Sequence, residues 1–241
     1  DEKYRDSGLQ IIGVHTPEFD FEKNYTNVLN AVNKFGIMYP VVQDNDFTTW
    51  NAYNNRYWPA KYLIDKNGNV VYTHFGEGNY EETERKIQEL LKDLNSSIAS
   101  KNTSSANASS VDFYGIGTPE IYFGYQFRRD YLANEPTSLE ANKIYNFTIA
   151  KQTQFQFNKP YLDGVWKNND GNFELLSDSG RIILYYKAKV VNIVAGSDTI
   201  SKIISSTNNF KETELSVTSS TLYNVVSAKD YNPKTLELNI S

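Results

Sequence analysis

The sequence predicts two folded units of different class, an α/β unit over residues 1–94 and an all-β unit over residues 111–241. Residues 1–94 alternate short apolar runs with helical stripes, and they hold 10 basic and 15 acidic side chains. Residues 111–241 instead carry short β-rich runs separated by turn residues. Residues 95–110 are almost all small and polar, and such a segment buries too little surface to offset its ordering entropy. We therefore interpret 95–110 as a Ser/Asn-rich linker.

The first unit begins with a pattern of alternating strands and helices. Apolar runs at 9–14 and 39–42 predict short buried strands. Between them, residues 22–35 place apolar side chains on one helical stripe, which ends at Gly36, a residue type common at helix C-termini. Asp46 is then expected to cap a second, short helix.

The rest of the first unit is predicted to be a β-hairpin and a final helix. The β-rich runs at 61–65 and 69–75 are separated by Asn67-Gly68, a pair typical of tight hairpin turns. A helix is expected to begin at Asn79, with acidic side chains in its first turn. The order of strand, helix, strand, helix, proline, hairpin and helix resembles the thioredoxin fold with an inserted segment.

Three phrases extend this resemblance to a protein family. They are similar to the thioredoxin-like portion of DipZ-type proteins, which are thiol–disulfide oxidoreductases linked to cytochrome c biogenesis. The phrases are Gly13-Val-His-Thr-Pro-Glu-Phe19, Tyr39-Pro-Val-Val-Gln-Asp-Asn-Asp46 and Asn51-Ala-Tyr-Asn-Asn-Arg-Tyr-Trp-Pro-Ala-Lys-Tyr-Leu-Ile-Asp65. The resemblance implies that a strand and a helix bearing Cys-x-x-Cys precede the segment matching residues 1–7. We therefore expect a thioredoxin-like domain that is incomplete at its N-terminus, in a fragment of a longer protein.

The same resemblance identifies a candidate substrate site at Trp58 and Pro59. Pro59 matches the cis-proline that faces the dithiol in thioredoxin-like proteins. The resemblance implies that Trp58, the residue before it, offers its backbone to an extended substrate peptide. The alternative is an ordinary proline at a strand edge beside a core tryptophan.

The second unit is predicted to be a β-sandwich because it contains at least six short β-rich runs with regular turn signals. Three features are similar to the C-terminal module of DipZ-type proteins: Gly117-Thr-Pro-Glu-Ile-Tyr-Phe-Gly-Tyr125, Gly164-Val-Trp166 and a long strand from Arg181 to Val194. The resemblance implies a jelly-roll-like sandwich of the carbohydrate-binding-module kind. A sugar site needs exposed aromatic faces. The candidates are Tyr161, Trp166 and Tyr185, and the alternative is that these rings are core residues.

The composition excludes several classes of function. The 241 residues contain no cysteine and two histidines, which excludes a disulfide framework and a cysteine nucleophile in these residues and nearly excludes a multi-histidine zinc site. The net charge of −5 argues against a nucleic-acid partner. No apolar run approaches the length of a membrane-spanning helix. Asp44, Asn45 and Asp46 resemble half of a calcium loop, but we prefer helix capping, and no metal or cofactor is predicted.

Six Asn-x-Ser/Thr sequons predict an extracytoplasmic protein if the host glycosylates. Three of them fall within the linker, where the alternative is a plain polar spacer. The candidate glycosylation sites are Asn24, Asn95, Asn102, Asn107, Asn146 and Asn239.

The predicted function is part of an extracytoplasmic thiol–disulfide oxidoreductase whose redox cysteines lie outside these residues. These 241 residues alone are therefore predicted to be inactive. The expected partners are thiols and disulfides of exported proteins or a membrane electron-donor domain, with carbohydrate as a further candidate ligand. The alternative is a non-catalytic cell-surface glycoprotein or carbohydrate-binding protein on a thioredoxin-like scaffold. A peroxiredoxin-like peroxidase is a third hypothesis, which also requires a cysteine.

Overall fold

The computed structural model describes residues 1–94, 113–126, 128, 132–136, 138–208 and 210–241. The chain divides into two compact units, residues 1–110 and 111–241. The predicted linker lies outside the described residues. The domain bounds at 94 and 111 therefore stay predictions.

The described part of the first unit is an α/β arrangement of two small sheets and three helices. Strands β1 (Gly13–His15) and β2 (Val41–Gln43) form a parallel pair. Strands β3 (Ala60–Ile64) and β4 (Val70–Phe75) form an antiparallel hairpin. The helices are α1 (Tyr25–Lys34), α2 (Thr48–Ala52) and α3 (Tyr80–Leu94). This is the element order that the sequence predicts for a thioredoxin-like unit.

The hairpin turn is closed by one aspartate and one glycine. The Asp65 side chain accepts hydrogen bonds from the backbone amides of Asn67 and Asn69, both at 2.9 Å. Gly68 has a φ of +87°, in the left-handed region that a residue with a side chain rarely adopts. Together these residues turn the chain from β3 into β4, as the Asn-Gly pair predicts.

The N-terminal segment is anchored to α3 by a buried polar network. The Tyr4 hydroxyl donates to a carboxylate oxygen of Glu84 at 2.6 Å and accepts a hydrogen bond from Gln88 at 2.7 Å. Lys3 forms an ion pair with the same carboxylate. Tyr4, Gln88 and Leu91 are buried, so the start of the chain packs against the apolar side of the last helix.

The second unit is rich in strands, and all of its described strand pairs are antiparallel. The described strands are β5 (Ile144–Phe147), β6 (Pro160–Asn168), β7 (Phe173–Leu175), β8 (Gly180–Tyr186), β9 (Val190–Ala195), β10 (Ser201–Thr207), β11 (Phe210–Val217), β12 (Thr221–Ser227) and β13 (Lys234–Ile240). Seven of them form one sheet in the order β11-β10-β13-β8-β6-β5, with β7 also paired to β6, and β9 and β12 form a separate pair.

Apolar side chains of the second unit form two buried clusters. The larger cluster includes Tyr186 and Leu238 from the seven-stranded sheet and Val225 from the β9–β12 pair. Because both sheets contribute to one cluster, the β9–β12 pair packs against the larger sheet. The smaller cluster surrounds Leu162 and Trp166. The jelly-roll arrangement of these strands stays a prediction.

The predicted single strand from Arg181 to Val194 is wrong. The chain leaves the large sheet after Tyr186 and joins β12 from Val190, so two strands in different sheets replace one. The segment between them is held from a distant part of the chain. The Lys187 amide donates to the Thr118 hydroxyl, and the Lys187 carbonyl accepts from the Gly117 amide, both at 2.8 Å. A side chain at Gly117 would meet Lys187 at 2.9 Å, so this close approach favours glycine.

Candidate functional site

The candidate site is the turn that enters β3, formed by Trp58 and Pro59. The peptide bond between the two residues is cis, as the family resemblance implies. The Pro59 carbonyl accepts a hydrogen bond from the Gly76 amide at 2.8 Å, which ties the turn to the end of β4. Both Trp58 and Pro59 are exposed, so this turn lies at the surface of the first unit.

The Trp58 ring is fixed from two sides although 48% of the residue is exposed. Its indole Nε1–H donates to the backbone carbonyl of Thr16 at 3.1 Å, just after β1. Its ring packs on Trp50 of α2, with centroids 4.1 Å apart and planes inclined by 36°. An exposed aromatic ring with two fixed supports offers a preorganised contact surface, which lowers the entropic cost of binding.

The backbone of Trp58 is available for hydrogen bonding. Among the described residues, neither its amide nor its carbonyl has a hydrogen-bond partner. An extended peptide laid along this residue could donate to the carbonyl and accept from the amide. This is the pairing that strand addition uses.

A buried carboxylate, Asp44, lies behind the Trp58 supports. Its side chain accepts hydrogen bonds from the backbone amides of Thr49 and Trp50, each at 2.8 Å, and from the Thr16 hydroxyl at 3.1 Å. Burial raises the pKa of Asp44, but these hydrogen bonds to the charged form outweigh it and hold the pKa below its ordinary value.

The prediction that Asp46 caps α2 is wrong, because Asp44 supplies the capping oxygens. α2 begins at Thr48, after Phe47 with its left-handed φ of 57°, and this bend brings the amides of the first turn back to Asp44. Capping also explains why Asp44 lies in a segment that resembles half of a calcium loop, because the side-chain oxygens of Asp44 accept hydrogen bonds from these donors. In the described ranges no group of three or more His, Cys, Asp or Glu residues could hold a metal ion.

Aromatic rings that the sequence patterns do not predict flank the other side of the turn. Tyr57 packs on Phe75 of β4 with centroids 5.0 Å apart, and both are exposed. Buried Asn55 holds this arrangement. Its Nδ2 donates to the Tyr57 carbonyl at 2.9 Å, and its Oδ1 accepts from the Tyr57 amide at 3.3 Å and from the Tyr62 hydroxyl at 3.1 Å. In the sequence, the local signal of this role is the position of Asn55 between two aromatic-rich runs.

These 241 residues alone do not contain the nucleophile for disulfide exchange. Exchange requires a thiolate nucleophile, and the 241 residues contain no cysteine. The role that the geometry leaves open to these residues is contact with an extended chain.

Comparison with known proteins assigns the second unit to a family. Residues 118–241 match the family model described as "Thioredoxin like C-terminal domain". The chain belongs to this family. The match covers the strand-rich unit, so this thioredoxin-like C-terminal domain is the antiparallel β-structure described above.

Similar proteins extend the comparison beyond residues 118–241. Protein DipZ of Mycobacterium bovis is 37% identical over 195 residues, which is 80% of this chain and 27% of the relative. Thiol-disulfide oxidoreductase ResA of Bacillus thuringiensis is 32% identical over 88 residues, 36% of this chain and 48% of the relative. Protein SUPPRESSOR OF QUENCHING 1, chloroplastic, of Arabidopsis thaliana is 33% identical over 91 residues, 38% of this chain and 9% of the relative. The similarity to DipZ is confirmed, and the chain spans about a quarter of the length of DipZ.

The candidate sugar platform in the thioredoxin-like C-terminal domain does not form. Tyr161 and Trp166 are each only 4% exposed. The Trp166 indole donates to the Asp163 carbonyl at 3.0 Å, and the Tyr161 hydroxyl accepts from the Gln156 amide at 3.1 Å. Both rings are core residues with their polar atoms bonded, so their faces cannot stack on a sugar. Only Tyr185 is half-buried, and its ring packs on Phe157.

The structure places three of the six sequons. Asn24 is the N-cap of α1, where its Oδ1 accepts from the Thr26 amide at 2.8 Å. Asn146 lies in β5 and Asn239 in β13. The sequons in the predicted linker, Asn95, Asn102 and Asn107, lie outside the described residues. Glycosylation stays a prediction at all six positions. None of the helices in the described ranges combines the length and the apolar character needed to cross a membrane.

Proposed function

We propose that this chain is the substrate-binding part of an extracytoplasmic thiol–disulfide oxidoreductase whose redox cysteines lie outside these 241 residues. The observation that carries the proposal is Trp58, whose ring is fixed by Trp50 and Thr16 while its backbone amide and carbonyl are unpartnered among the described residues. Similarity to DipZ and to a protein named as a thiol-disulfide oxidoreductase supports the same reaction class.

The proposed role of the Trp58 turn is to align the substrate for thiol–disulfide exchange. A thiolate attacks one sulfur of the substrate disulfide, a mixed disulfide forms, and the other substrate sulfur leaves as a thiolate. A second thiolate then releases the substrate, so the substrate gains two electrons and the attacking dithiol becomes a disulfide. An electron-donor domain in the membrane is the proposed source of the electrons that restore the dithiol. Trp58 holds the substrate backbone during both steps.

The proposed substrates are disulfides of exported proteins, including proteins of cytochrome c biogenesis. The second unit is proposed to be a jelly-roll-like sandwich that accompanies the redox unit. We do not propose carbohydrate binding for it, because two of the three predicted platform rings are buried.

Peptide binding without redox chemistry tests the role of the turn. The probe is the insulin B chain with its cysteines alkylated, because it is extended and cannot form a mixed disulfide. Titration calorimetry is expected to give binding to the wild-type chain and at least about tenfold weaker binding to Trp58→Ala, since an anchoring aromatic contributes about 2 kcal/mol or more. Tyr25→Ala is the matched control, because Tyr25 is an exposed aromatic of the same unit away from the turn. Equal affinities for all three proteins contradict the proposed role of Trp58.

The native protein tests the reaction class. Its intact mass after deglycosylation, combined with sequencing of its N-terminal peptides, is expected to exceed 27.6 kDa and to include a Cys-x-x-Cys peptide. A native protein made of these 241 residues alone overturns the oxidoreductase proposal and leaves a binding protein.

A further inference from the structure

Asp44 contacts both of the groups that hold the Trp58 ring. Its Oδ2 accepts hydrogen bonds from the Trp50 amide at 2.8 Å and from the Thr16 hydroxyl at 3.1 Å. Trp50 packs on the Trp58 ring, and the carbonyl of Thr16 accepts the indole N–H of Trp58. One oxygen atom therefore joins the two supports of the exposed ring.

We propose that Asp44 is a positioning residue for the Trp58–Pro59 turn, which fixes the Trp58 indole by holding Trp50 and Thr16 at the same time. This inference rests on the proposed function, because the orientation of Trp58 matters to activity only if the turn receives substrate. It goes beyond that function by naming a residue in α2's N-terminal loop that sets the geometry of the turn.

The chemistry of the three donors explains why a carboxylate occupies this position. The Thr49 amide donates to Oδ1, and Oδ2 serves the Trp50 amide and the Thr16 hydroxyl. An ionised carboxylate only accepts hydrogen bonds, so it can satisfy all three donors. An asparagine at position 44 would turn its NH₂ group toward at least one of these donors. Because Asp44 is only 6% exposed, water cannot easily replace the lost acceptor.

An ordinary helix cap would explain only part of this geometry. Capping of α2 accounts for the bonds to the amides of Thr49 and Trp50. It does not account for the bond to Thr16, which lies 28 residues earlier, after β1. That bond joins α2 to the residue that holds the Trp58 indole. The two roles differ in what they predict for the orientation of Trp58, and this difference can be measured.

The test uses the exciton couplet that two stacked indoles give in circular dichroism. Trp58→Phe removes the couplet of the Trp50–Trp58 pair and so assigns it, while buried Trp166 in the second unit stays constant as background. The couplet is expected to decrease in Asp44→Asn. It is expected to be unchanged in Asp46→Asn, a matched control that removes the same charge from an exposed residue two positions away.

Variants of Thr16 test the connection separately from the cap. Thr16→Val removes the hydroxyl that donates to Asp44 but keeps the carbonyl that accepts from Trp58. Thr16→Val is expected to decrease the couplet. Thr16→Ser keeps the hydroxyl and is expected to retain the couplet at its wild-type amplitude. This pair of variants leaves the α2 cap intact, so it decides the question even if Asp44→Asn fails to fold.

Binding of the alkylated insulin B chain gives the functional readout. Its dissociation constant is expected to rise about five- to tenfold in Asp44→Asn and in Thr16→Val, because binding must then order a loosened Trp58 side chain, and to stay at the wild-type value in Asp46→Asn and Thr16→Ser. A couplet of wild-type amplitude in Thr16→Val overturns the inference and leaves Asp44 as a helix cap. A lost couplet with unchanged peptide affinity confirms that Asp44 orients Trp58 and contradicts the proposed role of that orientation in peptide binding. If the wild-type chain does not bind the peptide, the proposed function fails, and the couplet still decides whether Asp44 orients Trp58.

Discussion

The Tyr4 hydroxyl donates a hydrogen bond to the Glu84 carboxylate at 2.6 Å, across 80 residues of sequence. Burial raises the pKa of Glu84, but the hydrogen bonds from Lys3 and Tyr4 outweigh it and hold the pKa below its ordinary value. The ionised carboxylate is therefore stabilised by the N-terminal segment. This network holds the first residues of the chain against α3.

Tyr4→Phe is expected to destabilise α3 by about 1–3 kcal/mol, because it removes the hydroxyl that both donates to Glu84 and accepts from Gln88. Faster hydrogen exchange of the α3 amides, followed by mass spectrometry, is the measurement. Tyr25→Phe removes an exposed tyrosine hydroxyl and is expected to change nothing. Unchanged exchange in Tyr4→Phe contradicts the structural role of this network.

At acidic pH, α2 and the Trp58 ring are expected to lose their fixed positions, but only below the pKa range of an ordinary carboxyl group. Because the folded-state pKa of Asp44 lies below its ordinary value of 3.8, its ionisation stabilises the folded state above that pH. This stabilisation is lost as the pH falls below 3.8 through the lower folded pKa. Acid titration of the Trp50–Trp58 couplet is the measurement. Asp44→Asn is expected to remove this step from the titration, and Asp46→Asn is expected to retain it.

Local patterns predict much of the first unit, since its hairpin, its helices and their order follow from periodicity and turn residues. Local patterns do not predict the contacts that hold Trp58, because these contacts join residues that are distant in the sequence. The bond between Thr16 and Asp44 spans 28 residues, and that between Thr16 and Trp58 spans 42. Thr16 lies in the family-like phrase 13–19, but no local pattern there predicts its contacts with Asp44 and Trp58.

The second unit shows a different limit of local patterns. Alternation along Arg181–Val194 fits one long strand, yet the chain changes sheets where Gly117 and Thr118 take the hydrogen bonds of Lys187. The burial of Tyr161 and Trp166 is likewise decided by neighbouring strands. An aromatic residue on a β-strand has the same local pattern whether its ring stacks on a ligand or fills a core.

Asn55→Ala is expected to loosen the aromatic side of the turn. The Asn55 side chain bonds to both backbone groups of Tyr57 and to the Tyr62 hydroxyl, and the residue is buried. Its removal leaves these groups without partners, so the first unit is expected to lose about 1–3 kcal/mol of stability. Denaturant unfolding followed by tryptophan fluorescence is the measurement.

Asn55→Asp separates the donor from the acceptor role of this side chain. It keeps the oxygen that accepts from the Tyr57 amide and the Tyr62 hydroxyl, but it loses the Nδ2 donor to the Tyr57 carbonyl. The second oxygen of the new carboxylate lies against the Tyr57 carbonyl at a buried position, so at neutral pH the stability is expected to be no higher than that of Asn55→Ala. A stability equal to that of the wild type would mean that the bond from Nδ2 contributes nothing.

Alkaline pH is expected to destabilise the second unit through Tyr186. Burial, with a smaller contribution from the charge of Asp230, raises the pKa of Tyr186 to about 12 from an ordinary value of 10.0. The raised pKa means that the folded state keeps its proton while the unfolded state loses it. Stability is therefore full below pH 10 and falls as the pH rises toward 12, by about 3 kcal/mol in total.

Tyr186→Phe provides the sharpest test of this alkaline transition. Within the described residues the Tyr186 hydroxyl is buried without a hydrogen-bond partner, so its removal is expected to cost little stability at neutral pH. The variant is expected to keep its stability between pH 10 and 12, measured as the denaturant midpoint of Trp166 fluorescence. Tyr114→Phe, which removes a hydroxyl from a fully exposed side chain of the same unit, is expected to retain the wild-type decline. An identical decline in Tyr186→Phe would assign the alkaline transition to another group.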